Sequence, residues 1–364
     1  MKKIFFSLVA LAALAACTKS EIAYEQTGEI VLSPVTSNTT KSVAGYNGNT
    51  FDGIFPTDID LYVFANAGEL GSKADEHDEP YFKNAQFEWF TTAQKPNATN
   101  NTADGGAYAG NPTRYWPNVK TLVFAGYSDA CNIKANLTDD NDDTTPTMNF
   151  ATNVLTIPAY TQDNATYDEE GENDLMWFSC TTPYAKQATE IVANMQHACS
   201  WITVKVKGDA TTKDKWILNS LVVTNFAHTG TATCGTTAAT WDSYSNVKPE
   251  DYYNAQTTST FNPQEGTTFT DEYVEYYKTE ANNFIVIPQE PTTLEVTYSY
   301  KSDTDIWFHE TKVIDLDYDG VEDENAKWQS GVHYIYNLTI TATEILIDPV
   351  VKEWTANTPT IPAI

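Results

Sequence analysis

The chain has 364 residues, and its 49 Asp and Glu against 21 Lys and Arg give a formal charge of −28 at pH 7. That balance excludes a nucleic-acid partner, since phosphate recognition demands a basic surface, and it suits a self-repelling protein that faces solvent. The sole arginine is Arg114, so arginine clamps for phosphates cannot be assembled and phosphoryl transfer is disfavoured; no cofactor is expected.

In chain order, the first element is not part of a fold. Lys2 and Lys3 form a charged head, Ile4 to Leu14 an apolar stretch, and Ala15 and Ala16 supply small residues before Cys17. This is the layout of a secretory signal; a membrane-spanning helix would need roughly 20 apolar residues. The ending Leu14-Ala15-Ala16-Cys17 resembles the lipobox of bacterial lipoproteins, which implies a signal peptide over 1–17 and a diacylglycerol on the Cys17 thiol. Several acyl chains, at about 0.8 kcal/mol per buried methylene, make a durable anchor.

Residues 18–41 come next. Glu29 to Val35 reads as a strand with Ile30 and Leu32 on one face, Val31 between them, and Pro34 tolerated only near its end or on an edge. The polar stretch "TSNTTKS" that follows holds one base, Lys41. Exposed polar loops of this kind are where proteases cut.

Beyond it the dominant pattern is alternation, which marks half-buried strands: "DIDLYVFA" (58–65), "KTLVFAGYS" (120–128), "SWITVKVKG" (200–208), "NSLVVTNF" (219–226), "NNFIVIP" (282–288), "TTLEVTYSY" (292–300), "TKVIDLDYDG" (311–320) and "HYIYNLTITATEILI" (333–347). Stretches rich in Thr, Asn, Asp, Gly and Pro separate them and favour turns. Helical periodicity is scarce, with "YFKNAQFEWF" (81–90) and "FTDEYVEYYKTE" (269–280) the two short candidates. The expectation is an all-β sandwich architecture with few short helices. The length left after the signal suits two domains, over 42–188 and 189–364, with the boundary near 183–192.

Chemistry-bearing clusters are few. With Cys17 committed to lipid, Cys131, Cys180, Cys199 and Cys234 allow three pairings that sequence cannot choose among; small buried thiols are an equally good reading. The five histidines form no HxxxH or HExxH pair. Asp315, Asp317 and Asp319 with Gly320 repeat the first half of a calcium loop, but Ala326 stands where its twelfth-position glutamate belongs; an acidic turn is expected and no metal. There is no GxSxG element, and accidental carboxylate pairs are inevitable among so many acids, so no enzyme is expected. The 21 Tyr and 9 Trp leave one rival reading: a glycan-binding surface lipoprotein with coplanar exposed rings.

"RYWPNVKTLVFAGYSD" (114–129), "NDLMWFS" (173–179), "MQHACSWITVKV" (195–206) and "GVHYIYNLTITATEILIDPVVKEW" (331–354), in that order and behind a lipobox, resemble the signature blocks of the fimbrillin family of lipoprotein-derived pilins. The resemblance implies two tandem transthyretin-like β-sandwich domains. It also implies that a trypsin-like protease cuts after a basic residue, here Lys41, and releases the first strand with Ile30, Val31 and Leu32. This chain has lysine where the best-known relatives have arginine.

A sandwich that loses one strand bares a groove for another. The expected donor is the C-terminal segment with Ile345, Ile347, Val350 and Trp354, supplied by another copy or a related pilin. The expected path runs from a lipid-anchored outer-membrane precursor to an extracellular adhesive fimbrium. The alternatives are that both segments stay at home as permanent strands, or that the chain is a non-polymerising anchor or tip fimbrillin.

Overall fold

The structure, a computed structural model, describes residues 27–36, 59–67, 81–91, 106–116, 121–128, 145–161, 174–180, 183–185, 191–257, 259–276, 284–290, 292–316 and 328–353. The first half carries β1 (Thr27–Glu29), β2 (Val31–Thr36), β3 (Leu61–Ala67), β4 (Phe82–Thr91), β5 (Gly106–Gly110), β6 (Tyr115–Trp116) and β7 (Thr121–Ser128). It continues with β8 (Thr147–Asn149), β9 (Val154–Thr161), β10 (Met176–Ser179), β11 (Tyr184–Ala185) and β12 (Ile191–His197). The second half carries β13 (Ser200–Gly208), β14 (Ile217–Cys234), β15 (Ala239–Asn254), β16 (Thr267–Thr268), β17 (Val274–Glu275) and β18 (Phe284–Val286). It ends with β19 (Thr293–Lys301), β20 (Trp307–Asp315), β21 (Val332–Ile340) and β22 (Ile345–Glu353).

The expectation of short helices is corrected: the protein is all-β, and no described residue is helical. "YFKNAQFEWF" forms most of β4. Asn84, at φ 50°, bulges the strand opposite an irregular register in β3. The extra residue sets buried Phe82 and Ala85 three apart before Phe87 resumes the alternation. A bulge of this kind imitates a helical period in sequence. In "FTDEYVEYYKTE" the described part supplies only the short β17, which pairs Val274 and Glu275 with Val206 and Lys205 of β13.

One sheet runs β10-β12-β2-β5-β4-β3-β7-β11, and a further β10–β7 pairing closes it on itself. Its interior is an apolar core of Ile30, Leu32, Leu61, Val63, Phe87, Tyr108, Phe124, Phe178, Ile191 and their neighbours. The second half is a two-sheet packing. β13, β17, β18, β21 and β22 form one sheet; β14, β15, β16, β19 and β20 belong to the other, which also takes β8 and β9. Between them lies a core built from Ile202, Val204, Tyr336 and Leu338 on one side and Leu218, Val223, Leu294 and Val296 on the other.

A third core joins the halves. Tyr62, Phe64 and Tyr127 turn their rings outward from the closed sheet onto Leu155, Ile157 and Tyr160 of β9 and onto Ala232 and Cys234 of β14. The chain passes between sheets at His197–Ser200, where β12 ends in the first and β13 begins the next. Backbone bonds from Gly331 N to Cys199 O and from Ala198 N to Leu175 O, both 2.8 Å, fasten that crossing.

Candidate functional site

The site grows out of β2. Ile30 and Leu32 have no exposed surface. Leu32 stands between Tyr108 of β5, antiparallel, and Ile191 of β12, parallel. Ile30 is fixed by its N–H, which donates to Arg114 O at 2.8 Å, and β1 just before it pairs with Tyr115 and Trp116. Tyr108 is itself held, its hydroxyl donating to Ile59 O at 2.9 Å.

The pairing of β2 is uneven. Val31 and Leu32 meet β5, whereas Leu32 to Thr36 meet β12. Pro34 therefore lies beyond the last β5 partner, next to Ala193. A proline has no N–H to give a ladder and fits where one side is open. The edge position expected for it is local to that end of the strand.

The C-terminal segment folds back on its own sheet. β21 ends at Ile340, and a turn follows in which Thr341 Oγ1 accepts the Glu344 N–H at 2.9 Å. β22 then returns antiparallel along β21 from Ile345 opposite Ile340 to Glu353 opposite Val332. Among the described residues it is an edge strand with one neighbour. Ile345 and Ile347 pack against the second-half core. Val350 stands opposite Ile335, on the other row from Ile345 and Ile347, and Val351 opposite Tyr334 continues their row. Leu346 is 50% exposed and Val351 38%.

Cys17, Lys41, Cys131, Asp317, Asp319 and Trp354 lie outside the described residues. Asp315 is exposed at the end of β20, and among the described residues no three His, Cys, Asp or Glu are grouped to hold a metal ion. Cys180, Cys199 and Cys234 are buried and in no disulfide. Burial pushes the Cys180 thiol up to about 12, against the opposing backbone bond with Phe124. Burial also raises Cys234.

The longest run of stacked rings among the described residues does not make an open platform. Trp216 stacks on Tyr298 at 5.2 Å and Tyr300 at 4.6 Å, and Tyr300 on Phe308 at 5.7 Å. These rings cover one another's faces, and the Tyr298 and Tyr300 hydroxyls both donate to Glu310.

Sequence reasoning missed the residues that frame β2, namely Tyr108, Ile191 and Ala193. The signal for β12 was present as the alternation Ile191, Ala193, Met195 in "IVANMQH", which is buried at every second residue.

A model of prokaryotic membrane lipoprotein lipid attachment sites matches residues 1–18, and no curated protein matches the sequence. A crystal structure of a fimbrial protein from Bacteroides vulgatus is similar with a TM-score of 0.52 at 14% identity, covering 90% of this chain and 100% of that one. The tip fimbrial protein Mfa3 from Porphyromonas gingivalis, with a C-terminal truncation, aligns at a TM-score of 0.37 and 10% identity over 90% of this chain and 99% of that one. The fimbrillin-like family model matches residues 40–354, and this chain belongs to that family of structural, non-enzymatic proteins.

Proposed function

We propose that the chain is a pilin subunit of adhesive fimbriae, folded as two tandem transthyretin-like β-sandwich domains and exported as an outer-membrane precursor lipidated at Cys17. A trypsin-like protease cuts near Lys41, and mature subunits polymerise when a strand of another copy or a related pilin takes the place of β2. The observation that carries the reading is the position of Ile30 and Leu32, fully buried on a strand that lies between the lipid-bearing terminus and Lys41 in sequence.

Removal of β2 from the closed sheet strips partners from β5 and β12 together and leaves an apolar row empty. Two such bared edges take up another strand. Refilling the places of Ile30 and Leu32 contributes about 3–6 kcal/mol, at 1.5–3 per buried side chain, before ordering costs. The donor segment and the acceptor slot are different surfaces, so the contact is head to tail and propagates as a filament.

The test is limited digestion of purified precursor with a trypsin-like protease, read by N-terminal sequencing and by gels in SDS without boiling. The reading expects release of the segment ending at Lys41 together with SDS-resistant ladders, and a Lys41→Ala precursor that stays monomeric. A Lys41→Ala precursor that forms the same ladders overturns it.

A further inference from the structure

Two stretches of this chain repeat one pattern. Glu29-Ile30-Val31-Leu32-Ser33-Pro34-Val35 and Glu344-Ile345-Leu346-Ile347-Asp348-Pro349-Val350 agree at the Glu, the first Ile, the Pro and the final Val, and they exchange Val for Leu and Leu for Ile. The first stretch contains most of β2 and the second opens β22.

The likeness extends to the faces the residues occupy. Ile30, Leu32 and Pro34 are buried on alternate positions, and Leu32 and Pro34 lie beside Ile191 and Ala193 of the first core. Ile345, Ile347 and Pro349 likewise share one row, opposite Ile340, Leu338 and Tyr336 of the second core.

On the strand-exchange reading above, in which the C-terminal segment of another copy is the donor, we infer that Glu344–Val350 enters the vacated slot in the direction and register of β2. Ile345 takes the place of Ile30, Ile347 that of Leu32, and Pro349 that of Pro34. Three constraints select this register. A slip of one residue turns the whole apolar row to the opposite face. A slip of two that carries Pro349 to the place of Leu32 sets a residue without an N–H between Tyr108 and Ile191, where β2 is paired on both sides. The opposite slip of two, which leaves the proline beyond the last β5 partner, sets Thr343 in the fully buried place of Ile30.

The donor is also a strand at a sheet edge, free to leave without breaking a second pairing. β22 has one neighbour and an exposed Leu346, and a short turn at Thr341–Glu344 precedes it. The match is poorest at Asp348, an exposed carboxylate standing for Ser33, which is 5% exposed.

The register is read by cysteine trapping in protease-matured full-length subunits. In β2 register, position 348 falls beside Val192, the partner of Ser33, and a two-residue slip brings it beside Asn194, the partner of Val35. Residues directly opposite in neighbouring strands lie within disulfide reach. Asp348→Cys with Val192→Cys is expected to give covalent oligomers on oxidation, about tenfold more than Asp348→Cys with Asn194→Cys. The buried Cys180, Cys199 and Cys234 are controlled by the Asp348→Cys single variant.

Ladders that form while the Asn194 pair traps better, or while neither pair traps, overturn the register and leave strand exchange standing. If matured wild-type subunits form no ladders, strand exchange itself fails and the register falls with it.

Discussion

Leu32 and Ile191 lie side by side in parallel strands, each without exposed surface, although they stand 159 positions apart in sequence (191 − 32). The first strand of the closed sheet is thus held by the last. Leu32→Ala leaves a cavity among residues that β12 and β5 hold in place, at a cost of about 2–5 kcal/mol. Val31→Ala, on the half-buried face, costs less. Urea unfolding of the Lys41→Ala precursor, which keeps β2 attached, measures both.

Gly126 lies at the seam that closes the sheet, where β7 pairs with β3 on one side and β10 on the other. A Cβ there would stand 2.6 Å from Tyr62 O and 2.7 Å from the Phe178 ring. Backbone cannot yield as a flexible side chain can, so Gly126→Ala costs about 1–3 kcal/mol or more by overpacking. A lowered melting temperature with unchanged circular dichroism at low temperature is the expected result.

Gln289 acts as a peptide unit in the second half. Its Oε1 accepts the Ala227 N–H at 2.9 Å and its Nε2 donates to Ala227 O at 3.0 Å and to Ile287 O at 3.2 Å. Gln289→Leu keeps much of the volume and strands the two Ala227 groups, each worth about 1–3 kcal/mol when buried without a partner. Denaturant unfolding should show a loss of roughly 2–6 kcal/mol.

Alkali should weaken the fold through groups that burial holds neutral. Burial comes first among the causes that push Cys180, Tyr276 and Tyr298 up to about 12. Unfolded, these groups lose their protons near the ordinary 9.0 for a thiol and 10.0 for a phenol; folded, they keep them. Above pH about 9 the unfolded chain therefore binds fewer protons than the native one, and stability falls as pH rises towards 12. Melting curves taken across that window should shift down continuously, with no contribution from these groups below it. For the same reason Cys180 and Cys234 should resist alkylation until the protein unfolds.

Much of the fold was legible because alternation survives wherever one face is buried. The run read over 200–208 is β13, and the alternation of Tyr334, Tyr336, Leu338 and Ile340 is the inner row of β21. What was not legible has identifiable causes. The bulge at Asn84 disguised β4. In β15, residues 242–249 are exposed on both faces, so the strand has no apolar period to read. At the site, the strand character of Ile30 and Leu32 was readable, whereas their partners were not, since pairing with residues as distant as Tyr108 and Ile191 leaves no local mark. Val350 was grouped with Ile345 and Ile347 by hydrophobicity; strand parity separates them.

The most direct measurement is the N-terminal residue of the protein recovered from fibres sheared off the cell surface. If β2 is discarded before assembly, the subunits begin at Ser42, just after Lys41. Assembled subunits that begin at a lipid-modified Cys17, with β2 still in place, would contradict the account.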